Sequence, residues 1–172
     1  LRTGRFTSPH LSTVRERIAI DGEPISPEAF IATWEEVAPY IEMVDQRSQA
    51  EGGPRLSFFE VFVVLAFAAF ADAPIDIAVL ETGMGGRWDA TNVVAAPVVA
   101  ITPIGIDHVD YLGPELTGVA AEKAGIIHHS SDELTDTVAV IARQTPEVMD
   151  VLLTQSVRAD AAVARENSEF AV

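Results

Sequence analysis

Short apolar runs alternate with longer amphipathic stretches along the chain, and this alternation predicts strands separated by helices. Residues 75–80 (IDIAVL) are apolar apart from one Asp, which is the pattern of a strand buried on both faces of a parallel sheet. Residues 97–102 predict a second buried strand, and residues 2–7, 138–142 and 161–164 predict further strands.

Two helices are predicted from capping residues that precede apolar residues at helical spacing. Ser26, followed by a proline, predicts a helix that extends to about Gln46. Ser57 and Glu60 have the spacing of a capping box, and the apolar helix at 61–71 should be buried against a sheet. The remaining predicted elements are a short hairpin or ribbon at 14–20, a loop at 48–55, a helix from about Thr117 and a helix from Thr145.

Strands and helices alternate throughout, so we predict an α/β fold with a doubly wound, mostly parallel sheet and flanking helices. The length of 172 residues leaves room for one domain with a sizeable core, and a hydrophobic content of 48% argues against disorder. The chain opens at Leu1 instead of Met, and we expect it to be a fragment.

The composition excludes several classes of function. The sequence has 26 acidic residues against 11 Lys and Arg, a net charge of −15, so we expect no nucleic-acid partner and no binding to anionic lipid. It has no cysteine, which excludes disulfides and thiolate metal sites and is compatible with a cytoplasmic location. No apolar run approaches the roughly 18 residues that span a bilayer, so we expect no membrane partner.

The polar loop after residues 75–80 carries the strongest candidate chemistry. Glu81 ends the predicted strand, and Gly83, Gly85 and Gly86 then permit tight backbone turns. Ligands of open α/β sheets bind beyond the carboxyl ends of the strands, which is where this loop lies. A dinucleotide fingerprint is rejected, because its third glycine would fall on Trp88. A tight loop without a ligand is the simpler alternative.

Two further residues could contribute to a site at this edge of the sheet. His108 follows the strand at 97–102, so its imidazole and the Glu81 carboxylate could bind one Mg²⁺ or Mn²⁺, although a lone His is more often an ordinary surface or core residue. Lys123 stands next to Glu122 on the following helix and could form an ordinary solvated ion pair. Alternatively, a neutral Lys123 amine could take up CO₂ and become a metal-binding carbamate. His128-His129 is interpreted as a surface pair, since adjacent residues do not face one point.

Six segments, taken together, connect the chain to a known family. They are TSPHL at 7–11, SFFE at 57–60, ETGMGGRWDATN at 81–92, ITPIGIDH at 101–108, LG at 112–113 and EKAGI at 122–126. In this order they resemble the folylpolyglutamate synthase/dihydrofolate synthase family of the Mur ligase superfamily. The resemblance extends from about Gly4 to Ile127, and more weakly to the C-terminus.

The resemblance implies an ATP-dependent ligase that adds L-glutamate to dihydropteroate or folate through an acyl phosphate. Its small-molecule substrates would be ATP, glutamate and the pteroate or folate, with Mg²⁺ or Mn²⁺ as the metal. The residues that it implies for metal binding are Ser8, Glu81, His108 and Lys123. It implies a catalytic role for the last three of these, and it implies that Lys123 binds the metal as a carbamate. The residues that it implies for pterin binding are Ser57, Phe59, Asp89 and Ala90.

Two departures from the family pattern bear on activity. The phosphate-binding sequence G-x-x-x-x-G-K-[ST], which precedes the first strand in the family, is absent from the chain, and the C-terminal ligase domain would follow Val172. We therefore expect residues 1–172 to be a partial central domain that is inactive alone, with an exposed sheet edge that promotes self-association. Two alternatives stay open: a non-catalytic fragment that binds a pterin or a partner, and another Mur-type amino acid ligase.

Overall fold

The computed structural model describes residues 1–129 and 136–171, and the chain forms two compact units, Leu1–Gly83 and Met84–Val172. Each unit contains its own sheet with helices packed beside it. The predicted α/β fold with parallel strand pairing and flanking helices is therefore confirmed. In the part of the chain that the structure describes, no helix combines the length and apolar character needed to cross a bilayer.

A four-stranded sheet forms the centre of the first unit. Its strands are β1 (Thr3–Phe6), β2 (Ile18–Ile20), β3 (Glu23–Pro24) and β4 (Ile77–Leu80), in the order β3-β2-β1-β4. β1 is antiparallel to β2 and parallel to β4. The predicted hairpin is confirmed for β2 and β3, but Val14–Arg17 form a 3₁₀ helix. The helix forms because the Glu16 carboxylate accepts hydrogen bonds from the backbone N–H groups of Leu11, Ser12 and Thr13.

Two helices complete the first unit. α1 (Pro27–Ala50) begins at the predicted cap, where Ser26 Oγ accepts a hydrogen bond from Ala29 N–H. It ends beyond the predicted Gln46, because the polar residues that follow are adequate helix formers even without apolar periodicity. α2 (Phe58–Asp72) begins with the complete capping box that the sequence predicted. The apolar residues of α2 that are buried are Phe62, Val63, Leu65, Ala66, Ala69 and Phe70.

The prediction that β4 is buried on both faces is wrong. Ile77 is 45% exposed and Val79 is 57% exposed. β4 lies at the edge of the sheet, and within the described residues it pairs with β1 alone. The apolar run therefore predicted the strand correctly, whereas its burial depended on neighbours that a local pattern does not report.

The second unit contains a wholly parallel three-stranded sheet in the order β5-β6-β7. Its strands are β5 (Val98–Ile101), β6 (Val138–Ile141) and β7 (Ala162–Arg165), and its helices are α3 (Val109–Leu112), α4 (Leu116–Ala124) and α5 (Pro146–Arg158). The core lies between this sheet and α4 and α5, with Ile127, Ile141 and Leu152 fully buried. β5 is buried on one face only, because Val98 is 61% exposed while Ile101 is 6% exposed.

Candidate functional site

Ser8 and Glu81 meet at the carboxyl edge of the sheet in the first unit. The parallel register pairs Phe6 with Leu80, so the chain leaves β1 and β4 side by side. Glu81 Oε2 accepts a hydrogen bond from the Ser8 backbone N–H at 2.7 Å, and the Glu81 backbone N–H donates to the Phe6 carbonyl at 2.9 Å. The structure thus brings together two of the four residues that the resemblance assigned to metal binding.

The N-terminus of α2 lies beside the same edge. The Phe59 ring packs against the Phe6 ring, with centroids 5.6 Å apart. Gly83 lies against the Phe59 ring, since a Cβ on Gly83 would lie 2.5 Å from Phe59 Cζ. Ser57 Oγ accepts a hydrogen bond from Glu60 N–H at 3.2 Å and thereby caps the helix. Both pterin-binding residues predicted in this unit therefore lie on one helix start, and Phe59 contacts the residues next to the strand ends.

Arg17 organises the loop that carries Ser8, a role that was not predicted from the sequence. Its side chain is buried, its Nε donates to His10 Nδ1 at 3.0 Å, and its guanidinium lies 5.2 Å from the centroid of the Phe58 ring and 5.5 Å from that of Phe62. Cation–π contacts of this kind stabilise a guanidinium that has left water. The alternation of charged and apolar residues at 14–20 gave no signal that one of the arginines is buried.

Glu16 fixes the same loop from its other side. Its carboxylate accepts from three successive backbone N–H groups, at 2.8 Å for Leu11, 3.1 Å for Ser12 and 2.8 Å for Thr13. The Leu11 and Thr13 hydrogen bonds hold the pKa of the Glu16 carboxyl below its ordinary value, because they stabilise its charged form. The loop that presents Ser8 is therefore ordered by an ionised acid.

In the second unit, Asp89 organises the glycine-rich loop internally. Asp89 Oδ1 accepts from the Thr91 backbone N–H at 2.9 Å and from Thr91 Oγ1 at 2.6 Å, while Oδ2 accepts from Met84 N–H at 3.0 Å. These bonds cap the 3₁₀ helix Ala90–Val93. The two predicted pterin-binding residues, Asp89 and Ala90, consequently lie in a tightly turned segment whose carboxylate has a structural partner on each oxygen.

This loop lies directly on the C-terminal turn of α4. The Arg87 backbone N–H donates to the Glu122 carbonyl at 2.9 Å. A Cβ on Gly86 would lie 2.6 Å from the Glu122 carbonyl oxygen and 2.9 Å from the Lys123 carbonyl oxygen, and a Cβ on Gly125 would lie 2.5 Å from Arg87 Cβ. Only glycine permits this approach at both positions, so backbone lies against backbone beside Lys123.

Asn92 joins the end of the loop to the same turn. Its Nδ2 donates to the Arg87 carbonyl at 3.0 Å and to the Gly125 carbonyl at 3.1 Å. Its Oδ1 lies 2.8 Å from His128 Nε2. The interpretation of His128 as a surface residue is therefore wrong, because the side chain is half-buried and hydrogen-bonded to a residue far away in sequence. His129 is exposed, as predicted.

His108 and Lys123 have different surroundings within the second unit. His108 lies beyond the end of β5, directly before α3, with a left-handed φ of 52° and with its Nε2 3.6 Å from Asp107 Oδ2. Lys123 is half-buried near the end of α4. The simple ion pair between Glu122 and Lys123 does not form, because Glu122 Oε1 instead lies 4.0 Å from Arg87 Nε.

The metal site stays a prediction. Within residues 1–129 and 136–171, no group of three or more His, Asp or Glu side chains is placed to hold a metal ion. The predicted set contains only one carboxylate, Glu81, and one imidazole, His108, with Ser8 and a modified Lys123 as the other ligands. Ser8 and Glu81 belong to the first unit, and His108 and Lys123 belong to the second.

Comparison with known proteins identifies relatives for the whole chain. The model of the Mur ligase middle domain matches residues 56–169. The dihydrofolate synthase/folylpolyglutamate synthase of Mycobacterium tuberculosis is 64% identical over 174 aligned residues, covering 99% of this chain and 36% of that protein. The crystal structure of folylpolyglutamate synthase from the same organism, complexed with ADP and AMPPCP, matches with a TM-score of 0.93 at 64% identity and covers 99% of this chain and 38% of that chain.

A more distant solved structure contains a folate. An FPGS–AMPPCP–folate complex matches with a TM-score of 0.87 at 30% identity, covering 98% of this chain and 39% of that one. The chain thus spans 36% to 39% of the length of these three relatives.

Proposed function

Because the chain belongs to the Mur ligase family through its middle domain, we propose that it forms part of an ATP-dependent ligase that adds L-glutamate to dihydropteroate or folate. The substrate carboxylate would be phosphorylated by ATP, and the glutamate amine would displace phosphate from the acyl phosphate to form an amide. The observation that carries this proposal is the pairing of Ser8 with Glu81 at the carboxyl edge of the sheet, in a chain 64% identical to such a ligase.

The donor atoms of the predicted metal set suit Mg²⁺ or Mn²⁺. Oxygen ligands and an imidazole are typical of these ions, and the Ser8 N–H orients the Glu81 carboxylate while leaving it further lone pairs. Glu81, Ser8 and His108 would hold the ion, together with Lys123 after its neutral amine has added to CO₂ and released a proton. When bound, the ion would offset negative charge on the transferred phosphoryl group.

The pterin would be bound by Ser57 and Phe59 at the start of α2, and by Asp89 and Ala90 of the glycine-rich loop. Phe59 offers an apolar ring at the start of α2, and Ser57 keeps a hydroxyl proton to donate, because its oxygen serves the helix only as an acceptor. Asp89 and Ala90 would contribute from the 3₁₀ turn, where the hydrogen bonds of Asp89 fix the loop before substrate arrives. Preordered groups reduce the entropy that is lost on binding.

The test is ligase activity in the complete gene product. The purified protein is incubated with ATP, glutamate and either dihydropteroate or folate, and the glutamylated product is measured by mass spectrometry. We expect product with at least one acceptor, and a loss of at least tenfold in kcat for Glu81→Gln. Glu23→Gln, an exposed acid of β3, is the matched control and should retain activity.

Other outcomes distinguish the alternatives. Binding of pteroate without any amide product would overturn the ligase proposal in favour of a non-catalytic pterin-binding protein. Product only with a peptidoglycan precursor as acceptor would identify another Mur-type amino acid ligase.

A further inference from the structure

We propose that Asn92 and His128 form a clamp that holds residues 86–92, the docked loop, on the turn of α4 that carries Lys123. His128 is a positioning residue in this proposal: it acts through Asn92 and touches no substrate. The proposal deepens the function proposed above, and the part of it that concerns pterin binding rests on that function. The clamp itself rests on contacts within the second unit alone.

The hydrogen bonds of Asn92 determine the orientation of its amide. Two backbone carbonyls, from Arg87 and Gly125, lie 3.0 Å and 3.1 Å from one end of the side chain, and a carbonyl can only accept. That end must therefore be the NH₂ group, which leaves Oδ1 facing His128 Nε2 at 2.8 Å. Because Oδ1 also only accepts, Nε2 of His128 must carry a hydrogen. The contact thus requires a donor at position 128.

The clamp secures the end of the docked loop at which, within residues 1–129 and 136–171, no backbone hydrogen bond to α4 is formed. At the other end, Arg87 N–H already bonds to the Glu122 carbonyl, and Gly86 lies against the same backbone. Asp89 and Ala90 lie between these two attachments. With both attachments in place, Asp89 and Ala90 move as one body with the helix turn that carries Lys123.

Loss of the His128 donor should loosen this attachment without removing any group that binds substrate. The loop would then have to be ordered when the pterin binds, so the KM for dihydropteroate or folate should rise about twofold to tenfold, the size expected of one neutral hydrogen bond. The KM for ATP should change by less than twofold, since no predicted ATP contact lies in the docked loop. A general destabilisation would instead raise both KM values or reduce the amount of active enzyme.

The experiment compares four variants of the complete gene product by hydrogen–deuterium exchange and by steady-state kinetics. His128→Ala removes the donor, His128→Gln retains an N–H donor, and Asn92→Asp places an acceptor against two carbonyls. His129→Ala is the control, because His129 is exposed and, among the residues that the structure describes, contacts the Ala159 carbonyl at 3.3 Å. We expect faster exchange at residues 86–92 in His128→Ala and Asn92→Asp, wild-type exchange in His129→Ala, and partial recovery in His128→Gln.

Each outcome decides one part of the proposal. Unchanged exchange at residues 86–92 in His128→Ala would overturn the clamp. Faster exchange with an unchanged KM for the pterin substrate would overturn the positioning role. If the wild-type protein has no ligase activity, the proposed function fails, and the clamp is still decided by the exchange measurement in the ligand-free protein.

Discussion

Substitution of Gly86 by alanine tests the backbone contact between the docked loop and α4. The added Cβ would lie 2.6 Å and 2.9 Å from two carbonyl oxygens that belong to a helix, so neither oxygen can rotate away. Overpacking of this kind costs about 1–3 kcal/mol, and separation of the two backbones would also weaken the Arg87–Glu122 hydrogen bond by about 1 kcal/mol. Alanine also reduces the conformational entropy of the unfolded chain, which stabilises the folded protein by about 0.4–1 kcal/mol. The net destabilisation should therefore be about 2 kcal/mol.

The assay is urea and thermal unfolding followed by circular dichroism, with two matched glycine variants. A Cβ on Gly105 meets no atom within 4 Å, and one on Gly118 meets its nearest atom at 3.7 Å. Gly105→Ala should change stability by less than about 0.5 kcal/mol, and Gly118→Ala should stabilise α4 by up to about 1 kcal/mol. Gly86→Ala should lower Tm by about 4–8 °C. If Gly86→Ala matches Gly105→Ala, the close approach of loop and helix is wrong.

Four further predictions concern the first unit. Ser57→Ala should lower the free energy of unfolding, measured in urea, by about 1 kcal/mol, because the capping box of α2 is lost. A loss as small as that caused by replacing an exposed serine with alanine would contradict this. Arg17→Met should cost about 2 kcal/mol and speed exchange at residues 7–13; unchanged exchange would show that the buried guanidinium does not order the loop. Because the pKa of Glu16 is lowered in the folded protein, its carboxylate stabilises the fold fully above pH 4.5, the ordinary pKa of a glutamate, and this stabilisation is lost as the pH falls through the lowered pKa. A titration midpoint for the Glu16 carboxyl at or above pH 4.5, measured by NMR, would contradict this. The purified chain should self-associate with increasing concentration in sedimentation velocity, and Val79→Lys on the β4 edge should reduce this; equal association of both proteins would exclude that edge.

Features that depend on residues close in sequence were predictable. The capping box of α2 is defined by Ser57 and Glu60 alone, and both of its hydrogen bonds are present. The strands at 77–80 and 98–101 were predicted from short apolar runs, because an apolar run of this length between turn signals is typical of a strand and is shorter than most helices. The placement of Glu81 at the end of a strand also followed from the sequence, since the apolar run stops there.

Features that depend on distant residues were not predictable from the pattern. The exposure of Val79 depends on which strands pair with β4, and an apolar run does not contain that information. His128 was misinterpreted because its partner, Asn92, precedes it by 36 positions and no spacing rule connects them. Residues 14–17 were predicted as ribbon from alternating polarity, but the hydrogen bonds of Glu16 to residues 11–13 stabilise a 3₁₀ turn instead.

The contact between Gly86 and the end of α4 limits how residues 86–92 can be exchanged between relatives. A graft of residues 86–92 from a relative would bring new side chains onto a helix turn shaped for Gly125 and His128. Such a chimaera should fold only when residues 122–128 are exchanged together with the loop. The two segments therefore constitute a single module for recombination, although 29 positions separate their nearest ends.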